Sequence, residues 1–249
     1  MNKIVFITGA SSGIGEYVAY EYAKQGATIG LAARRNDLLE TISTKCKELG
    51  GKPIIYKCDV SDQSAIKKAI DNFIIKSGGI DIVIANAGIS GKVKLANGNS
   101  DEINRMLSIN ILGVTNTILP ALPTMIKQKS GRIVVLSSIA GFRGLPGRSS
   151  YSASKVAVRF MANSWRSSFV NDGISFTTIC PGFVDTEMTN KHKYHMPFLM
   201  NVDVFAQKMV KAIENKKKTY VAPWQWRLII PLIKIVPEWF INFVASKKV

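Results

Sequence analysis

Short apolar runs alternate with amphipathic stretches along almost the whole chain. The run at 3–8 (KIVFIT) gives way near Gly13 to residues whose apolar positions recur at helical spacing, and the same exchange repeats downstream. This pattern predicts strands near 3–8, 27–32, 53–57, 80–85, 131–136, 174–179 and 218–221. Between them it predicts helices near 13–25, 36–49, 62–76, 101–127 (in two pieces), 150–171 and 203–214. Strands separated by helical lengths pair in parallel, because the chain needs a long crossover to return to the same end of a sheet. Seven such strands with helices on both faces make a doubly wound α/β sheet. Its ligand crevice lies beyond the carboxyl ends of the strands.

The residues at those strand ends are unusual. After the first strand comes Thr8-Gly-Ala-Ser-Ser-Gly-Ile-Gly15. A glycine-rich turn feeding a helix is where a pyrophosphate docks, with backbone N–H groups and the helix dipole turned to the anion. Gly9 lets the turn form, and Gly13 and Gly15 allow close approach, while Ser11, Ser12 and Ile14 supply the rest of the loop. The second strand ends in Ala33-Arg34-Arg35. A carboxylate there would bind ribose hydroxyls and repel a 2′-phosphate, whereas guanidinium forks match phosphate geometry, so the site favours NADP(H) over NAD(H), with Arg34 the stronger candidate of the pair. Asp59 and Val60 end the third strand, and Asp59 suits an adenine amino group. Asn86, Ala87 and Gly88 end the fourth as a small-residue turn that lets a cofactor lie close. Each is an ordinary turn on its own, and their placement at consecutive strand ends is the signal.

Tyr151 and Lys155 are four residues apart and share a helix face. A phenol titrates near ~10, and a neighbouring ammonium lowers that by favouring the phenolate, so Tyr151 becomes an acid or base for neutral pH. A carbonyl under reduction also needs a donor for its oxygen, which Ser137 or Ser138 at the fifth strand end can supply. Side chains alternate there, so only one of the two faces the crevice.

Taken together, the chain resembles the single-domain branch, about 250 residues long, of the short-chain dehydrogenase/reductase family, whose nucleotide-binding unit is a Rossmann fold. The resemblance runs from residue 3 to about 222 and rests on Thr8-Gly9, Gly13 and Gly15, on Asn86 to Gly88, and on Tyr151 with Lys155. It implies a hydride transfer between a nicotinamide and a carbonyl or secondary alcohol. It selects Ser138 over Ser137 to orient the substrate oxygen, makes Tyr151 the proton donor and acceptor, and has Lys155 grip the nicotinamide ribose. Asn110 would hold a water that relays protons to solvent. Pro181, Gly182, Val184 and Thr186 match the family's motif after the sixth strand, with Thr186 on the nicotinamide carboxamide. The following 187–201 would be a substrate lid with apolar Met188, Met196, Phe198, Leu199 and Met200. Pairing into a homodimer or homotetramer through the helices carrying Asn110 and Tyr151 is also implied.

Composition narrows the alternatives. The chain of 249 residues has 47% hydrophobic residues and no linker-like segment, so one domain is expected over 1–222 with an extension over 223–249. Cys46, Cys58 and Cys180 lack metal spacing and read as reduced thiols. The first strand leaves no room for a signal peptide, so a cytoplasmic location is expected. His192 and His195 lack further ligands nearby, and no metal is expected. Net charge is +16, and residues 191–249 carry eleven Lys/Arg against three acids, half of that excess. Charge alone does not make a nucleic-acid reader, and no reading module accompanies it. Beyond residue 223 the chain is apolar and basic, too interrupted to span a bilayer, with Trp239, Phe240 and Phe243 on one helical face. Two readings stand there: an interfacial segment against the inner face of an anionic membrane, or a face that covers a partner subunit or roofs the substrate pocket. Among functions, a reductase of lipophilic carbonyls leads, a 3-oxoacyl-carrier-protein reductase follows, and an inactive NADP-binding scaffold is the alternative of another class.

Overall fold

The computed structural model describes residues 2–92, 96, 98–144, 146–190 and 196–237. Seven parallel strands form one sheet: β1 (Ile4–Thr8), β2 (Thr28–Ala33), β3 (Lys52–Lys57), β4 (Ile82–Ala85), β5 (Gly131–Leu136), β6 (Ile174–Pro181) and β7 (Thr219–Ala222), in the order β3-β2-β1-β4-β5-β6-β7. The order reverses at β1, which pairs with β2 on one side and β4 on the other. That switch opens the crevice above the carboxyl ends of β1 and β4.

Both faces are buried, as the near-continuous apolar strands require. Val5, Ile7, Ile82, Ile84, Val134 and Leu136 point to one side, where α1 (Gly13–Ala23), α2 (Asn36–Glu48) and α9 (Val202–Glu214) cover them with Val18, Tyr22, Leu39, Phe205 and Met209. Alternate residues Phe6, Val83, Ile133 and Val135 meet α3 (Gln63–Ser77), α5 (Gly113–Ile118), α6 (Leu122–Gln128) and α7 (Ser149–Ser168) through Phe73, Ile118, Met125 and Val158. The alternation is the two-residue period of a strand read out as two cores. An Arg132–Glu214 ion pair ties β5 to α9.

The segment Asp101–Gln128 has mean hydropathy 1.4 over its most apolar window and is long enough to cross a membrane, yet half of that window is buried within the protein. It is expected as two helices and is three: α4 (Asp101–Leu107), α5 and α6. A π-helical turn, Ser108–Leu112, separates the first two, and a 3₁₀ turn, Leu119–Ala121, separates the last two. The 3₁₀ turn follows from Pro120 and Pro123, which have no N–H to give to the preceding turn.

Two further helices are absent from the helices the pattern predicts. The four-residue α8 (Glu187–Asn190) follows β6, and α10 (Gln225–Ile235) follows β7 and continues through Pro231. One face of α10 is not a separate extension. Trp226 and Ile230 pack with Cys180 and Val221 in a third apolar cluster, joined by Phe142, Phe183, Ile229 and Ile233. Arg143 caps the end of this helix on the Ile233 and Val236 carbonyls. The opposite face leaves Trp224, Leu228, Leu232 and Ile235 exposed. Trp239, Phe240 and Phe243, and the histidines 192 and 195, lie outside the described residues.

Candidate active site

The glycine turn is built for contact. Gly9 has φ +66°, and a Cβ on it would stand 2.8 Å from the Ala87 Cα. A Cβ on Gly15 would stand 2.4 Å from the Gly9 carbonyl oxygen and 2.6 Å from Asn86 Nδ2. Gly15 therefore lets α1 sit down on the turn rather than facing a ligand. Asn86 fixes the same turn by donating from Nδ2 to the Thr8 and Gly9 carbonyls (2.9 and 3.1 Å), and the Thr8 hydroxyl accepts from the Asn86 and Ala87 N–H groups. The β1 and β4 ends are thus locked together, a structural duty beyond the one the sequence suggests for Asn86.

Above them a cleft of about 490 Å³ runs across the switch point. Every expected site residue lines it except Gly15 and Asn110. Ile89, Ser90, Ile109 and Leu136 line it too and are not expected from sequence, and Glu187, Met188 and Thr189 of the expected lid stretch line it as well. At its β2 end Arg35 donates from Nη2 to Ser12 Oγ (2.6 Å) and from Nε to Ser11 Oγ (3.3 Å), while Arg34 leans towards Asp59 at 3.5 Å. Sequence favours Arg34, but Arg35 is the one held on the glycine loop. Burial raises the Asp59 carboxyl, yet bonds from the Ser61 N–H and hydroxyl and the Arg34 charge outweigh it, and the group is held below its ordinary value.

At the other end both serines line the cleft, so alternation does not leave only one of them facing it: both lie beyond the end of β5, and what separates them is their bonds. Ser137 donates to the Lys155 carbonyl at 2.7 Å, a bond that joins β5 to α7. Ser138 accepts from the Ala140 N–H at 3.1 Å, which leaves its own proton to give. Lys155 is buried, gives one proton to the Leu136 carbonyl at 2.9 Å, and lies 5.7 Å from the centre of the Tyr151 ring. Burial disfavours the ammonium and lowers its pKa to about 8.

Asn110 sits in the π turn and is fully buried. Its Oδ1 accepts from the Ile89 N–H (2.8 Å), and Nδ2 donates to the Ile89 carbonyl and to Ser154 Oγ (both 3.0 Å). Both amide protons are spent, so the side chain clamps the loop after β4 against α7. Thr186 lines the cleft, and Thr189 fixes its turn by accepting from the Thr186 N–H at 2.9 Å. The far end of the expected lid is pinned: Met200 bridges Val184, donates to the Phe183 carbonyl, and packs against the core, so it is not a lid residue. Phe198 stacks edge-on against Trp226 at 6.0 Å.

Comparison with known proteins agrees with this geometry. The family model described as short chain dehydrogenase matches residues 3–196. The protein "11-beta-hydroxysteroid dehydrogenase-like 2" of Arabidopsis thaliana is 40% identical over 245 residues, covering 95% of this chain and 78% of its own. A 3-oxoacyl-[acyl-carrier-protein] reductase of Thermotoga maritima is 34% identical over 189 residues, covering 76% of this chain and 77% of its own. Among solved structures, an alcohol dehydrogenase of Thermococcus sibiricus complexed with 5-hydroxy-NADP has TM-score 0.80 and 26% identity, covering 88% of this chain and 95% of its own. A family match over most of the length, on a sheet of this order with a cleft at its switch point, places the chain in the short-chain dehydrogenase family of oxidoreductases.

Proposed function

We propose that this protein is an NADP(H)-dependent oxidoreductase that interconverts a lipophilic carbonyl compound and its secondary alcohol. The observation that carries the reading is the meeting of Ser138, Tyr151 and Lys155 in the same cleft as the Arg34–Arg35 pair and the glycine turn. The cleft fits a dinucleotide: the glycine turn lines it, with Gly9 and Gly13 at the positive φ values (+66° and +58°) that the turn requires, and two guanidinium groups with Ser11 and Ser12 suit a 2′-phosphate. Gly9, Gly13, Ile14, Asp59, Val60, Asn86, Ala87 and Gly88 would hold the adenine half, and Lys155, Pro181, Gly182, Val184 and Thr186 the nicotinamide half. Bound there, the cofactor supplies a hydride to the carbonyl carbon, or takes one from the alcohol carbon.

The chain does the rest. Ser138 donates to the substrate oxygen as negative charge grows on it. Tyr151 gives that oxygen its proton in reduction and takes it back in oxidation. The Lys155 ammonium favours the phenolate by charge. Asn110 positions rather than reacts, by clamping the loop after β4 against α7. Replacing Arg35 by Ala is expected to weaken NADPH binding by roughly 1–3 kcal/mol, and Arg34→Ala likewise, with NADH little changed. Fluorescence titration of both cofactors checks this, and equal losses for both would sink the 2′-phosphate assignment. NADPH consumption against ketones from small cyclic compounds to steroids and acyl thioesters tests the reaction itself.

The lipophilic choice rests on α10. Its inner face reaches Gly182, where a Cβ would stand 2.4 Å from Trp226 Nε1, and its outer face exposes Trp224, Leu228, Leu232 and Ile235 within a sequence stretch, 191–249, that carries eleven Lys/Arg against three acids. We read that outer face as a contact with the anionic inner surface of a membrane, which would keep a cytoplasmic enzyme next to its substrate. Co-sedimentation with anionic vesicles is expected, released by salt, and largely lost in Leu228→Glu with Leu232→Glu. An intact protein that ignores vesicles would remove this part. The Thermotoga relative favours a second reading, reduction of 3-oxoacyl groups on an acidic carrier, for which the same positive charge serves.

Leu112, Leu119 and Phe160 are all more than half exposed on the helices that follow β4 and β5. We infer that this surface pairs copies of the chain into a homodimer or homotetramer. Sedimentation equilibrium is expected to give a multiple of 27.3 kDa, and a single-chain mass at micromolar concentration would overturn it.

A further inference from the structure

One edge of the Arg35 guanidinium is fixed by Ser11 and Ser12, and its remaining nitrogen is spoken for by a residue far away in sequence. Nη1 donates to Glu187 Oε2 at 3.0 Å across a separation of 152 residues. Glu187 is the first residue of α8 and lines the same cleft. Both side chains are about half exposed, 43% and 54%, so the pair adds little to stability. Its position is what matters, because it sets a carboxylate on the guanidinium that a 2′-phosphate would need.

We propose that Glu187 is a resident counter-ion for Arg35 that the 2′-phosphate of NADP(H) displaces, so that Glu187 limits the preference for the phosphorylated cofactor and latches α8 until it binds. The inference rests on the 2′-phosphate reading above. A phosphate of about two charges, gripped by a fork, outcompetes a single carboxylate at the guanidinium. A displaced Glu187 still faces the phosphate and repels it, which lowers the affinity the two arginines would otherwise give. A ligand without the 2′-phosphate offers Arg35 no anion. The Glu187 pair then stays closed, and α8 stays tied to the start of α2.

Adenosine 2′,5′-bisphosphate and adenosine 5′-monophosphate isolate the phosphate, since neither carries a nicotinamide. In calorimetric titrations at low salt, Glu187→Gln is expected to bind the bisphosphate roughly three- to tenfold tighter than the parent and the monophosphate within about twofold of it, the gain fading at high salt. Hydrogen exchange of the Thr189 and Asn190 amides, which donate to the Thr186 carbonyl, gives an independent readout. Bisphosphate should speed it in the parent, monophosphate should not, and Glu187→Gln should be fast without ligand. If the parent discriminates between the two nucleotides but Glu187→Gln behaves as the parent in both measurements, or shifts both nucleotides equally, the counter-ion role is wrong and the cofactor reading survives. If the parent does not discriminate at all, both fall together.

Discussion

Replacing Tyr151 by Phe is expected to lower turnover by roughly 10²–10⁴-fold, the range of a lost general acid, while leaving the dissociation constant for NADPH within about twofold. The ring would still pack beside Lys155, so the cleft keeps its shape, but no proton remains to follow the hydride onto the substrate oxygen. Ser138 would not substitute as the acid, because its one hydroxyl proton would be engaged in holding that oxygen. Steady-state rates with the best ketone of the panel, set beside a fluorescence titration of NADPH, separate the two effects. Turnover within tenfold of the parent would remove Tyr151 from the proton-transfer step.

The second large effect couples activity to stability. Burial takes Lys155 from an ordinary pKa of 10.5 to about 8, so between those values the unfolded chain holds more protons than the folded one. Stability from this group therefore rises as pH climbs from about 8 to 10.5, and below 8 the protein carries a buried ammonium at a cost. Lys155→Met keeps the length of the stem and deletes the charge. It is expected to stabilise the ligand-free protein by about 1–3 kcal/mol at pH 7, net of the bond lost at the Leu136 carbonyl, and to lower turnover by roughly 10²–10⁴-fold. The parent's gain in stability across that pH window should disappear in the variant. Urea unfolding at several pH values reads all of this, and a less stable variant that keeps the pH slope would place the cost elsewhere.

The sheet was legible because its signal is local. Val5, Ile7 and Phe6 already announce a strand buried on both faces, and glycine, arginine and asparagine at successive strand ends announce the crevice. Helix 101–127 was legible as a length but not in its pieces. The π turn that buries Asn110 has no marker in sequence, since it is set by the three bonds that side chain makes to Ile89 and Ser154. The choice between Ser137 and Ser138 needed the resemblance. What distinguishes the two in the structure is contact made by folding: Ser137 spends its proton on α7, and Ser138 accepts from the Ala140 N–H. Arg34 and Arg35 could not be ranked from adjacency, because what distinguishes them is contact with Ser11, Ser12 and Glu187. Helix α10 was obscured by Pro231 and by an apolar pattern that reads the same against lipid as against Trp226's neighbours.

The order reversal at β1 divides the cleft unevenly along the chain. Gly9 to Gly88 come from the first ninety residues, whereas Ser138, Tyr151, Lys155 and Thr186 come from the last hundred and twenty. A dinucleotide lying across the switch point would therefore act as a splint between the early and late parts of the polypeptide. Once its concentration is well above the dissociation constant, each tenfold rise adds about 1.4 kcal/mol against unfolding. The steady amount of this protein in a cell would then follow the size of the nucleotide pool as well as the rate of synthesis, since degradation draws on the unfolded fraction.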